Sequence, residues 1–262
     1  MKGKKMFLFM LLALCICLMP ARNAEAAVKY KNRFVKAQNG NISYYNAKGQ
    51  KVKGIVTVKG KKYCFDSKGI LRTGWRRVNK KYYFFRQSNG LGGYMRTSTK
   101  VNGISLRKDG SAVYNNTQLQ KLDLMVRASR IVDSITNNKM TKAQKLKVCF
   151  RYIVNYNYGD GGDFVGVSNW DVYYGNRVLT RRRGDCFGFG CAFAYLANAV
   201  GYKSYAVSSG GHGWAEVNGK VYDANWAKVT GRIDWYCGMD YGLSGRGGRP
   251  NYKTSRYYVK AI

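Results

Sequence analysis

Acidic side chains and histidine are scarce in this chain of 262 residues: 13 Asp and Glu stand against 46 Lys and Arg, and there is one histidine. A formal net charge of +33 at neutral pH implies an anionic environment, which would hold the protein by long-range attraction that salt weakens. One histidine, with no close pair of cysteines in the mature chain, leaves no set of zinc ligands, and no metal or other cofactor is expected. Long apolar runs are lacking as well. The one candidate, Met6 to Met19, falls short of the roughly 20 residues that span a bilayer. Lys2, Lys4 and Lys5 precede it, and Pro20 and the small-x-small sequence Ala24-Glu25-Ala26 follow. This is the layout of a secretory signal peptide covering residues 1–26. The membrane is then met only through that transient leader.

Removing the leader takes away four basic and one acidic side chain, so the mature chain still carries +30. For an exported protein the natural counterpart is an anionic wall polymer or a lipid surface. Export, and the want of a basic recognition helix, argue against nucleic acid. Five cysteines remain: Cys64, Cys149, Cys186, Cys191 and Cys237. The odd count means that at least one thiol is unpaired or bonds another chain; the other four allow two bridges in three connectivities, or none.

Residues 27–113 read as an all-β repeat region. Aromatic residues recur at Tyr44-Tyr45, Tyr63 with Phe65, and Tyr82-Tyr83, and turn glycines recur at Gly49, Gly69, Gly90 and Gly110, a spacing of 20 or 21. Each unit predicts a short aromatic-rich hairpin closed by a polar glycine turn, as in Tyr63-Cys64-Phe65-Asp66-Ser67-Lys68-Gly69. A lone hairpin cannot bury its own face, so stacking into a slender β-solenoid is expected. These units, most clearly Gly74-Trp75-Arg76-Arg77-Val78-Asn79-Lys80-Lys81-Tyr82-Tyr83-Phe84, resemble the choline- and glucan-binding repeats of Gram-positive surface proteins. The resemblance implies a secreted protein on a Gram-positive cell wall, with a wall polymer, anionic or glycan, as partner. It also implies Trp75, Tyr82 and Tyr83 as ligand-binding rings, since boxes of Trp and Tyr hold choline by cation–π contact. Ile55 stands at another repeat tryptophan position. A plain spacer stalk is the competing reading.

The pattern changes at residue 114, and residues 114–262 read as one α+β domain. Leu119, Leu122, Val126 and Ile135 fall at helical spacing. Thr141 and Gln144 form a capping box for a second helix that carries Leu146, Cys149, Phe150 and Ile153 on one stripe, Cys149 as core filler. Residues 157–184, rich in Gly, Asp and Arg, predict a long loop.

From Cys186, the residues Ala192, Phe193, Leu196 and Val200 mark a helix ended by Gly201. Cys186 sits in its first turn, where backbone N–H groups and the dipole favour a thiolate, with Arg181, Arg182 and Arg183 adding positive field. Cys191, further along, reads as buried and inert. A strand over 203–208 precedes Gly211-His212-Gly213-Trp214. Asn218-Gly219 then predicts a two-residue hairpin in which Val217 faces Lys220 and Trp214 faces Asp223. His212 becomes the diagonal neighbour of Asp223, within reach of a carboxylate that orients an imidazole. Asn225, opposite His212 in that register, is the alternative orienting group.

The stretches Gly184-Asp185-Cys186, Gly211-His212-Gly213-Trp214 and Tyr222-Asp223-Ala224-Asn225-Trp226 resemble the transglutaminase-like family of the papain-related superfamily. The resemblance implies a papain-like α+β fold, with the cysteine helix packed on an antiparallel sheet that carries His and Asp. It implies Cys186 as nucleophile, His212 as base and proton donor, and Asp223 as orienter, acting on protein or peptide amides. Ala224 stands where the family has Pro. No residue matches the family's oxyanion donor, and Trp170 beside the Cys186 N–H is the candidate. Water as acceptor would make a protease or amidase, and an amine would make a crosslinker. A wall-remodelling peptidase and a non-catalytic wall-binding adhesin that uses the same fold as scaffold remain the other readings.

Overall fold

A computed structural model describes residues 30–88, 90–159, 164 and 166–262; the leader predicted over 1–26 lies outside them. The amino-terminal part is a run of small antiparallel sheets. β1 (Arg33–Lys36) pairs with β2 (Ile42–Tyr45); β3 (Gly54–Val58), β4 (Lys61–Phe65) and β5 (Leu71–Arg72) form a second sheet. β6 (Gly74–Val78) pairs with β7 (Lys81–Phe85), and β8 (Lys100–Val101), β9 (Ile104–Leu106) and β10 (Ala112–Val113) form a fourth sheet.

The hairpins close differently from the sequence expectation. The tight turns are Lys59-Gly60, Asn79-Lys80 and Asn102-Gly103, each with both residues at positive φ. Two positive φ values give the turn whose twist matches the flanking strands, so the hairpin closes before its aromatic strand. The turn glycines lie after that strand. The N–H groups of Gly49, Gly69 and Gly110 donate to the carbonyls of Asn46, Asp66 and Arg107 at 3.0, 2.9 and 3.0 Å. Gly90 departs from the series and opens a short 3₁₀ turn, Gly90–Gly92.

A slender free-standing solenoid is not what forms. The early units have a small core of Ile42, Val58, Tyr63, Phe65 and Leu71. Trp75, Tyr82, Phe84, Ile104 and Leu106 instead enter the same core as the helices that follow. α1 (Asn116–Ile135) is the element they meet: the Tyr82 hydroxyl donates to Asp123 Oδ1 at 2.5 Å, and Arg76 Nη1 pairs with Asp133 at 2.7 Å. Later hairpins thus bury their rings against a helix, which removes more apolar surface than another hairpin would.

α1 and α2 (Lys142–Val154) both open with complete capping boxes, Asn115 with Gln118 and Thr141 with Gln144. Short strands β11 (Asn157–Tyr158) and β12 (Arg183–Gly184) pair in parallel across the segment expected to be a loop. That segment contains a helix, α3 (Trp170–Arg181), with Trp170, Asp171, Val172, Tyr174, Gly175, Val178 and Leu179 buried. Its buried residues fall at helical spacing, a period overlooked among the Gly- and Asp-rich residues before it, and its stability comes from tertiary burial.

α4 (Cys186–Val200) is the centre of the molecule, with every residue from Cys186 to Ala197 buried. A helix apolar on all sides must be enclosed. α1, α2 and α3 cover one side; the other lies on a five-stranded antiparallel sheet ordered β16 (Cys237–Asp240), β15 (Lys220–Tyr222), β14 (Gly213–Val217), β13 (Ser204–Ser208), β17 (Tyr258–Ala261). Two glycines let helix and sheet approach. A Cβ on Gly190 would lie 2.7 Å from the Trp214 backbone, and one on Gly213 would lie 2.7 Å from Phe187 Cα. α5 (Ala224–Thr230) and α6 (Ile233–Tyr236) complete the fold. Among the described residues no helix is long and apolar enough to cross a membrane.

Candidate active site

Three chain segments deliver the site. Asp185 caps α4, its carboxylate accepting the Gly188 N–H at 2.7 Å, so Cys186 becomes the first helical residue, 7% exposed. The first four N–H groups of a helix lack partners within it; here the Asp185 carboxylate takes up those of Gly188 and Phe187. Burial raises the Asp185 pKa, an effect those N–H bonds oppose.

His212 comes from the turn between β13 and β14. The Ser209 and His212 backbones bond each other, Ser209 N–H to His212 O at 2.9 Å, while the Ser209 hydroxyl accepts the His212 N–H at 2.9 Å. Gly210 at φ +86° makes so tight a turn possible. Asp223 follows β15, in a hairpin whose register is the one read from Asn218-Gly219: Val217 opposite Lys220, Ala215 opposite Tyr222.

The side chains meet. His212 Nε2 lies 2.6 Å from Asp223 Oδ2, and Cys186 is near enough to the same imidazole to favour its charged form. Asp223 is fully buried, and the His212 side chain is 20% exposed, so the ring is the part of this chain of groups that solvent reaches. Burial works against the imidazolium, but the Asp223 charge and hydrogen bond, aided by Cys186, outweigh it and push the His212 pKa up to about 10.

Two further groups fix the carboxylate, and neither was evident from sequence. Tyr252, itself buried, donates its hydroxyl to Asp223 Oδ2 at 2.7 Å, and the Trp226 N–H reaches Oδ1 at 2.9 Å because Asp223 caps α5. Tyr252 lies in a Gly-, Lys- and Arg-rich stretch without periodicity, so no signal marks it. Trp214 packs edge-on to Tyr252 at 5.1 Å and 6.2 Å from the His212 ring, forming the wall behind the imidazole.

Other expected residues fall elsewhere. Asn225 is in α5, because the chain turns into a helix at Asp223 instead of continuing the strand opposite His212; its Oδ1 is buried without a hydrogen-bond partner among the described residues. Trp170 is buried at the start of α3, edge-on to Phe164 at 5.2 Å, and serves the core. Arg181, Arg182 and Arg183 are exposed where α3 ends. All five described cysteines are free thiols. Burial pushes Cys64 and Cys237 up to about 11 and Cys149 up to about 12, and raises Cys191 well above its ordinary value.

In the repeats, Trp75 is 1% exposed, packs on Phe84 at 5.4 Å and donates its indole N–H to Asn102 at 2.9 Å. Tyr82 is equally buried on Asp123. Neither ring has a face open to a ligand, since both are consumed by packing against α1 and its neighbours. Tyr83 is half-buried.

Solved structures with a segment similar to this chain include choline-binding proteins and an alternansucrase. The choline-binding domain of Spr1274 from Streptococcus pneumoniae is 28% identical over 30% of this chain and 92% of its own length, with a TM-score of 0.27. Choline-binding protein F from the same organism is 28% identical over 32% of this chain and 29% of that one, with a TM-score of 0.28. Truncated alternansucrase from Leuconostoc mesenteroides is 31% identical over 27% of this chain and 6% of that one, with a TM-score of 0.24. At these TM-scores no common overall fold follows. No protein-family model matches the sequence, and no curated protein matches it.

Proposed function

We propose that this is a secreted, wall-associated thiol enzyme that transfers the acyl group of protein or peptide amides through Cys186, His212 and Asp223, on a transglutaminase-like fold. The observation that carries the reading is the hydrogen-bonded series Tyr252–Asp223–His212, with Cys186 at a helix start beside the imidazole and favouring its charge. In the first step Cys186 Sγ forms a bond to the amide carbonyl carbon, and the oxygen takes up negative charge facing the Cys186 N–H. His212 gives its proton to the nitrogen as the C–N bond breaks, releasing the amine and leaving a thioester. Water or a second amine then attacks the thioester carbonyl and yields its proton to His212. The C–S bond breaks, releasing acid or a new amide and restoring the thiolate–imidazolium pair. Asp223 orients the ring and stabilises its charge throughout, and Tyr252 and the Trp226 N–H hold Asp223 in place.

The test is to incubate the protein with a glutamine-containing peptide and a labelled primary amine. Label entering the peptide supports crosslinking, peptide cleavage supports hydrolysis, and neither product across a broad peptide panel removes the catalytic reading.

A second reading, wall binding without catalysis, is favoured by the +33 charge and the hairpin repeats, and the choline-binding likenesses stand nearer to it than to an enzyme. With Trp75 and Tyr82 buried, such binding would rest on basic side chains rather than on an aromatic box. Pull-down on isolated walls with choline or with high salt separates the two modes, since charge-driven binding yields to salt and not to choline.

A further inference from the structure

Between the repeats and the helices lies a cleft of about 620 Å³. Its walls are β2, β5 and the start of β6 on one side and the end of α1, the loop 137–141 and the start of α2 on the other. The walls are joined at one end, where Gly40, at φ +81°, abuts the Asn138 backbone so closely that a Cβ would lie 2.7 Å from it. Six cations line the cleft, Lys36, Arg72, Arg76, Lys139, Lys142 and Lys145, and Asp133 is its one carboxylate. That carboxylate is already engaged by Arg76 at 2.7 Å and Arg72 at 3.7 Å.

Two of the cations are poorly compensated. Arg76 is only 8% exposed, and although Asp133 and the Thr73 carbonyl take its Nη atoms, its Nε is buried with no hydrogen-bond partner. Burial lowers the Lys145 pKa despite the opposing pull of Asp133, and its ammonium reaches only Asn138 Oδ1, at 3.5 Å. A buried cation short of partners stabilises whatever anion enters beside it.

The rest of the lining narrows the ligand. Hydroxyls and amides such as Thr73 and Asn137 intersperse the cations, and among the described residues no Phe, Tyr or Trp borders the cleft. Single-stranded nucleic acid is held by stacking on aromatic rings, and sugar rings likewise pack on them, so neither finds its platform here. Serial cations with hydroxyl-reading groups suit a flexible chain of phosphates linked by polyols.

We propose that this cleft binds the phosphodiester backbone of an anionic polyol-phosphate polymer. The inference rests on the wall-associated reading and is independent of the thiol chemistry.

Binding of a fluorescein-labelled poly(glycerol phosphate) oligomer to the full mature chain, followed by anisotropy across a salt series, tests it. Lys36, Lys139 and Lys142 are exposed, although Lys142 also donates to the Gly201 carbonyl and lies over the Tyr202 ring, so the far-UV circular dichroism of K36Q/K139Q/K142Q is matched to the parent's first. That variant is expected to bind at least tenfold more weakly at about 100 mM salt, with the log–log salt slope reduced by about 2 to 3. A charge-matched control, K59Q/K108Q/K253Q, is expected to stay within about twofold of the parent. Equal losses in the two variants would overturn the cleft while leaving charge-driven wall association intact. Single-stranded DNA of equal charge bound as tightly, with the same dependence on the cleft lysines, would overturn the ligand. No binding by the parent would remove both the cleft and its wall-associated premise, and unchanged Cys186 alkylation in all three proteins would keep the thiol reading apart.

Discussion

The two halves of the molecule each bury a tyrosine that donates to an aspartate, and they use the pair differently. In the repeats Tyr82 meets Asp123 of α1 at 2.5 Å, beside the buried Trp75, and the bond fastens a hairpin to a helix. In the second half Tyr252 meets Asp223 at 2.7 Å, but there the carboxylate has a third partner, His212, whose ring solvent reaches and whose charge Cys186 also favours. The Tyr82–Asp123 bond ends on an exposed carboxylate and acts as a fastening, whereas under the proposed function Tyr252–Asp223 would position the His212 imidazole.

Substitutions should break that contrast in order of size. Replacing Cys186 with Ala should abolish amide turnover, a loss of about 10³-fold or more, with little change in melting temperature; residual turnover near that of the parent would move the chemistry elsewhere. D223N, which keeps the shape and removes the charge that holds the imidazolium, should cost about 10²- to 10⁴-fold in kcat. Trp75→Ala should cost about 3–5 kcal/mol of stability through the cavity it leaves, measurable by urea denaturation, while alkylation of Cys186 in the folded protein stays as in the parent. Y252F should cost about 1–2 kcal/mol, since it takes a donor from a fully buried carboxylate, and Y82F less, since Asp123 is exposed and water takes the place of the hydroxyl. Only Y252F should also shift the pH profile of Cys186 alkylation, and an equal shift in both would erase the distinction between fastening and positioning.

A pH effect on stability follows from His212. Its folded pKa lies above the ordinary 6.5, at about 10, so its charge interactions contribute fully below about pH 6.5 and are lost as pH rises toward 10. The melting temperature of the parent should therefore fall relative to H212A across that window.

Much of the candidate site was legible because its signals are local. Asn218-Gly219 fixed a register that brings residues 212 and 223 together, Gly201 ended α4, and Thr141 with Gln144 opened α2. What escaped depends on distant partners. α3 has a helical spacing of buried residues that was overlooked behind the Gly- and Asp-rich stretch before it, and it packs on α4. Tyr252 and β17 come from a segment of glycine and basic residues whose place is set by the sheet it joins. The burial of Trp75 and Tyr82 was hidden for the same reason: an aromatic hairpin face looks alike in sequence whether a ligand or a helix covers it.

The most direct measurement is the pH dependence of iodoacetamide alkylation at Cys186, read by mass spectrometry so that Cys64, Cys149, Cys191 and Cys237 are scored separately. An imidazole that acts on the Cys186 sulfur predicts faster alkylation of Cys186 than of the other four thiols in the parent at neutral pH, and loss of that excess in H212A. Superimposable profiles for parent and H212A would contradict it.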